Sequence, residues 1–246
     1  MKWDKICIML PTYGRSDTLL PKFLSSCIQT AGNLKNIRFA FCVNGNDDET
    51  IRFIKTHPIY GLGVCKIVLE NLPTPNLAKY FNMLYDASAS FGSDCLVTML
   101  GDDMEFLTRD WDTRILALVN QYDGIGVFWA NDAYIAREKL CVNMFVTRKM
   151  VEATEYPFMD ETFPAEMIDL IWYLVGKQTK NLHYLPEVLI RHNHNTAKPK
   201  EQWDKTFNRL RPFQKIAHGI GKELVRENAQ RIAAILIKKG FIGDNA

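Results

Sequence analysis

Gly101-Asp102-Asp103-Met104-Glu105 places two adjacent carboxylates directly after an apolar run, Cys95-Leu96-Val97-Thr98-Met99. That run reads as a buried strand. In an open α/β sheet, ligands bind outside the carboxyl ends of the strands, so both acids are expected at a crevice. Neighbouring carboxylates repel unless a cation neutralises them. Hard oxygen donors suit Mg²⁺ or Mn²⁺, ions that usually hold a substrate's phosphates as well. The same acids would also suit a solvated turn leading into a helix N-terminus, so the segments around them decide the reading. Arg191-His192-Asn193-His194 is one such segment. It stands where a later strand runs out, and imidazole can join carboxylates around Mn²⁺.

Strand-like and helix-like stretches alternate along the chain, the pattern of an α/β fold with a mixed, mainly parallel sheet. Residues 5–10, 37–43, 64–69 and 94–100 read as strands, followed by 124–129, 140–147 and 182–191. Leu20, Phe23, Leu24, Cys27 and Ile28 recur at helical spacing, as do Leu77, Tyr80, Phe81, Leu84 and Ala87 behind a capping Asn76. Helices are also expected at 111–121, at 166–176, and from 203 to 239 with a break near Gly219-Ile220-Gly221. Pro11–Arg15, Asn44–Asp48, Asp102–Glu105 and His192–His194 all fall at strand ends, which share one crevice in a doubly wound sheet. The first two supply turn-forming backbone, hydroxyl, amide and guanidinium groups suited to a nucleotide.

The chain has 246 residues, 47% hydrophobic and 24% charged, enough for a large core and typical of soluble globular usage. No apolar stretch approaches the ~20 residues of a membrane span, and the opening apolar run is too short for a secretory signal. A cytoplasmic protein is expected. The six cysteines contain no Cys-x-x-Cys pair and lie in apolar runs, so they are expected to be buried and reduced. Of 30 basic and 28 acidic residues, 11 and 5 fall in residues 196–246, leaving 19 and 23 in the first 195. This divides the chain into a body, 1–197, and a basic helical C-terminal appendage, 198–246, for which an anionic partner is expected.

Four motifs occur in order over about residues 5–195. Ile8-Met9-Leu10-Pro11-Thr12-Tyr13-Gly14-Arg15 comes first, then Val43-Asn44-Gly45-Asn46-Asp47-Asp48-Glu49-Thr50 and Gly101-Asp102-Asp103. The last runs from Asp160-Glu161-Thr162-Phe163 through Glu166-Met167-Ile168-Asp169-Leu170 to Tyr184-Leu185-Pro186-Glu187 and His192. Together they resemble the family 2 glycosyltransferases of GT-A fold. The resemblance implies an enzyme that moves a sugar from a nucleotide-sugar donor to an acceptor hydroxyl with inversion, aided by Mn²⁺ or Mg²⁺. It implies that Asp103, with His192, holds the ion, that Asp102 meets the ribose or the ion, and that Pro11, Thr12, Tyr13, Arg15 and Asn44 line the nucleoside pocket. Two departures stand out. Val43 and Asn44 replace the family's base-contacting acid, and Met167 replaces its catalytic aspartate. A thioether cannot take a proton, so Glu166 or Asp169, one helical turn apart, is left as the base.

Trp129 and Asp132 are candidates to meet the sugar or acceptor, with core packing the alternative for the indole. The acceptor is either a glycan precursor, lipid-linked at an anionic membrane, or a hydroxylated base in DNA. The interleaved Trp203, Lys205, Phe207, Arg209, Arg211, Phe213 and Lys215 suit the anionic alternatives. A non-catalytic nucleotide-sugar-binding protein is the competing reading, favoured by Met167. Gly61-Leu62-Gly63 lacks the third glycine of a dinucleotide fingerprint, and neither a P-loop nor a nucleophile elbow is present.

Overall fold

A computed structural model describes residues 2–72, 74–134, 137–163, 167–193 and 221–243. Glu166, His194 and the stretch from Trp203 to Lys215 lie outside the described residues. The chain runs β1 (Lys5–Thr12), α1 (Leu19–Thr30), β2 (Ile37–Asn44), α2 (Asp48–Thr56), α3 (Pro58–Gly61), β3 (Cys65–Glu70) and α4 (Leu77–Ser88). It continues through β4 (Cys95–Met99), β5 (Met104–Phe106), α5 (Trp111–Gln121), β6 (Val127–Asn131), β7 (Met144–Thr147) and α6 (Arg148–Ala153). It closes with α7 (Ile168–Gln178), β8 (Leu182–His192) and the C-terminal helix, α8 (Lys222–Lys238).

The strands form one eight-stranded sheet in the order β3-β2-β1-β4-β7-β6-β8-β5. The pairs β1–β2, β1–β4, β2–β3 and β6–β8 are parallel, whereas β7 and β5 run against their neighbours. β1 and β4 read as unbroken apolar runs because both faces are covered by helices. One face packs on α4, α6, α7 and α8, and the other on α1, α2 and α5. β1 and β4 pair over Lys5–Cys7, after which the Met9 N–H turns to the Thr98 hydroxyl at 3.1 Å. The strands part there, and Pro11, which has no N–H to offer, sits beyond the paired stretch.

The six cysteines are free, five of them buried. The helix expected over 111–121 forms there, and Asn76 caps α4 by accepting the Lys79 N–H at 2.9 Å. Four short elements escape the periodicity: α2 has nine residues, α3 four, β5 three and α6 six. The C-terminal helix expected as part of an appendage buries Val225, Ala229, Ile232 and Leu236 in the same core as α7.

At the opposite pole from the strand tips, His183 is buried between the rings of Tyr122 and Phe128, with centroids at 3.8 and 4.8 Å. A Cβ at Gly126 would lie 2.4 Å from that imidazole, so glycine is required there. Burial lowers the His183 pKa from 6.5 to about 4, against a backbone hydrogen bond with Ile125 that favours the charged form. The unfolded chain binds this proton below pH 6.5 while the folded chain does not until about pH 4, so stability is lost as pH falls through that window. The unfolding free energy of wild type relative to His183→Phe is therefore expected to drop by on the order of 2 kcal/mol between neutral and acid ends of the window. Urea denaturation at a series of pH values checks this, and a pH-independent difference would refute it.

Candidate active site

Asp102 is the centre of the strand-tip cluster. It is 2% exposed, and its two oxygens face different partners. Thr12 Oγ1 donates to one at 2.6 Å, and the buried Arg15 guanidinium forms an ion pair with the other. Burial pushes the Asp102 carboxyl up, Arg15 pulls it down, and Asp103 next door pushes it up again. The end of β1 and the end of β4 are tied together through this carboxylate.

Asp103 turns the other way, toward β8. The antiparallel register of β5 and β8 pairs Met104 with His192, and the Asn193 N–H donates to the Asp103 carbonyl at 2.9 Å. This brings Asp103 Oδ2 to 3.5 Å from His192 Nε2. Burial opposes a charged His192, yet hydrogen bonding and attraction from Asp103, with the fields of Asp132 and Asp169, outweigh it and raise its pKa above 6.5. The pair fits a divalent ion by its spacing: donors ~2.1 Å from one ion stand ~3.0 Å apart at right angles and ~4.2 Å apart when opposite. Oxygen and imidazole nitrogen suit Mn²⁺ or Mg²⁺, and two protein ligands leave positions for phosphate oxygens. Among the described residues no group of three or more His, Cys, Asp or Glu side chains forms a self-sufficient metal site.

The β1–β2 side of the crevice carries a brace that sequence reasoning missed. Asp47 caps α2 by accepting the Thr50 N–H at 3.2 Å, and its second oxygen accepts the Gly14 N–H at 2.7 Å. Gly14 holds a left-handed φ of 61°, which lets the turn carrying half-buried Pro11 and Tyr13 reach across to β2. The only sequence signal was an acid at an N-cap position.

Asn44 also has a structural role. Its Nδ2 donates to Glu70 at 2.7 Å and its Oδ1 accepts the Asn46 N–H at 3.1 Å, so its amide braces β2 against β3. Glu70, 3% exposed, also accepts the Leu72 N–H at 2.7 Å.

Trp129 also differs from the expected sugar platform. It is 3% exposed, its indole N–H donates to the Arg137 carbonyl at 2.8 Å, and its ring packs on Tyr184 and Tyr173. It belongs to the core. Asp132 does reach the site: it is buried, accepts the Arg137 N–H at 2.8 Å, and its carbonyl accepts the His192 N–H at 2.9 Å. Asp169, half-buried in the first turn of α7, contributes to the negative field at His192. Just before it, Met167 holds a left-handed φ of 74°. A bulky residue in that conformation is strained, and such strain concentrates at functional sites.

The sequence matches no protein-family model and no curated protein. Its fold, however, matches solved structures. TarS of S. aureus superposes with a TM-score of 0.62 at 10% identity, over 96% of this chain and 43% of that one. The chain thus spans less than half of TarS. A TarS 1–349 structure in complex with UDP-GlcNAc gives 0.60 at 10% identity, over 96% and 72%. The mannosyltransferase PcManGT from Pyrobaculum calidifontis, in complex with GDP-Man and Mn²⁺, gives 0.56 at 15% identity, over 98% and 76%. The fold is therefore of the GT-A glycosyltransferase type.

Removing either partner of the Arg15–Asp102 pair leaves a buried charge stripped of its ion-pair partner. Asp102→Ala and Arg15→Met are each expected to lower stability by about 3–5 kcal/mol, and the double variant by less than their sum. Urea denaturation of the four proteins measures this cycle. Additive losses would show that the two groups do not hold each other.

Proposed function

We propose that the protein transfers a sugar from a nucleotide-sugar donor to an acceptor hydroxyl, inverting the anomeric centre, with Mn²⁺ or Mg²⁺ as cofactor. One observation carries this reading: the Asp103–His192 pair lies beside the Thr12–Arg15–Asp102 cluster at the carboxyl edge of a GT-A-type sheet. Structures of similar fold bound to UDP-GlcNAc and to GDP-Man with Mn²⁺ support it.

Asp103 Oδ2 and His192 Nε2 would hold the ion, which when bound neutralises charge on a departing diphosphate. Pro11, Thr12, Tyr13 and Arg15 wall the nucleoside, and Asp102 keeps Arg15 in place. The carboxylate of Asp169 takes the proton of the acceptor hydroxyl as its oxygen attacks the anomeric carbon and the bond to diphosphate breaks. Glu166 is the alternative base. The acceptor is a glycan precursor or a hydroxylated base in DNA, and the 11 basic against 5 acidic residues of 196–246 support an anionic one. No helix among the described residues is long and apolar enough to cross a membrane. Met167, standing where the resembled family has its catalytic aspartate, favours a second reading in which the protein binds nucleotide sugars without turning them over.

Asp103→Ala is expected to abolish turnover and the Mn²⁺-dependent stabilisation by a nucleoside diphosphate. In wild type a ligand at ~100 times its Kd adds about 2.7 kcal/mol. A thermal-shift screen of nucleoside diphosphates with and without Mn²⁺ reads the effect, and an unchanged shift in the variant refutes the ion site.

Asp169→Asn is expected to keep donor binding and to lower kcat by ~10²–10⁴. If Glu166 is the base, Glu166→Gln shows that loss instead. Near-normal kcat in both variants excludes both acids. A wild type that binds donor yet neither transfers nor hydrolyses its sugar is a binding protein.

A further inference from the structure

A cleft of about 130 Å³ opens between the loop 156–160 and the helices α7 and α8. Its floor is made by Phe158, Met159, Ile171 and Trp172, all buried and apolar. Its walls are preset. Asn82 accepts the Met159 N–H at 2.8 Å and donates to the Met159 carbonyl at 3.0 Å, while the Trp172 indole donates to the Phe158 carbonyl at 3.0 Å. The volume is close to that of an engineered apolar cavity of ~150 Å³ that takes up benzene, so one six-membered ring fits.

The polar groups at the cleft select the kind of ring. The exposed Arg231 guanidinium lies over the Tyr156 ring at 4.4 Å and donates to Asn228 Oδ1 at 2.6 Å, leaving the remainder of its donor fork for an anion. Asp160 and Asn228 line the cleft as well, but the four side chains of its floor are apolar and the Trp172 N–H is engaged, so hydroxyls pressed onto the floor by a sugar ring would lose their partners there. A flat aromatic ring loses no such partners. Position supplies the last element. Ile168 lines the cleft and is followed directly by Asp169, so cleft and carboxylate share the first turn of α7 on adjacent faces.

We propose that this cleft is the acceptor subsite, seating one six-membered aromatic ring whose anionic substituent meets Arg231. The inference rests on the sugar-transfer reading for its role, although ring binding itself does not.

Phenyl phosphate is the probe, with phenol and inorganic phosphate as controls, followed by ligand-observed NMR on the full chain. Wild type is expected to bind phenyl phosphate roughly tenfold more tightly than either control, the usual worth of one charge-assisted hydrogen bond. Ile232→Phe, which fills the cleft, abolishes that binding, and Arg231→Ala reduces it to the level of phenol. Urea midpoints near wild type confirm that both variants fold, and the exposed Arg231 position decides the matter alone if Ile232→Phe does not. Phenyl phosphate is further expected to slow donor hydrolysis by wild type at least threefold. No probe binding, undiminished binding in both variants, or hydrolysis indifferent to a bound probe overturns the proposal. If wild type neither binds nor hydrolyses any donor, the sugar-transfer reading and the acceptor role fall together, while the binding arm still decides whether the cleft holds a ring.

Discussion

The buried carboxylate of Asp102 is the constraint on which the rest of the site depends. It sits where β1 and β4 have stopped pairing and would otherwise leave two loop ends independent. Thr12 and Arg15 close on it from β1 and the following turn. A lone carboxylate in that position would be expensive, and a lone guanidinium equally so. Each is tolerable because of the other, so the Arg15 guanidinium stays fixed at the crevice by the protein itself. With Asp102 committed inward, its neighbour Asp103 is the carboxylate left to face β8.

His192 reaches Asp103 through an irregularity. β8 tracks β6 in register from Leu182 to Leu185, then jumps, so that Asn131 lies opposite Leu189. Pro186 falls inside the jump, where its missing N–H breaks no ladder bond. Such a shift bends a strand and re-aims its end. Beyond it, β8 pairs with β5 and sets Met104 opposite His192. A slip of one residue would turn His192 to the other face of the sheet. The short β5 strand is therefore what brings Asp103 and His192, distant in sequence, to 3.5 Å of each other.

How much of this could be read from the sequence follows the range of each interaction. β1, β2 and β4 were legible because strands buried on both faces are continuous apolar runs, and Asn76 was legible because a cap acts within one turn. β5 was hidden because three residues carry no period. Asn44 looked free because its partner, Glu70, lies 26 residues away across a neighbouring strand. Trp129 looked like an open aromatic face because the carbonyl that satisfies its indole belongs to a turn that no local pattern announces. The apolar stripe of α8 was visible as a helix face, but nothing local says that α7 covers it. The described motif residues Thr12, Arg15, Asp102, Asp103 and His192 do gather at one end of the sheet, while the partners of individual side chains depended on contacts distant in sequence.

The charge around His192 links the two halves of the candidate reaction. Asp103, Asp132 and Asp169 all act on one imidazole, and burial weakens the screening that water would supply. On the proposed reading, a nucleoside diphosphate entering the same crevice would add further negative charge beside an Arg15 already paired with Asp102. Donor binding without an added cation therefore runs against the local field, and cation binding without the donor leaves coordination positions open. Each is expected to strengthen the other, and by linkage the two couplings are equal.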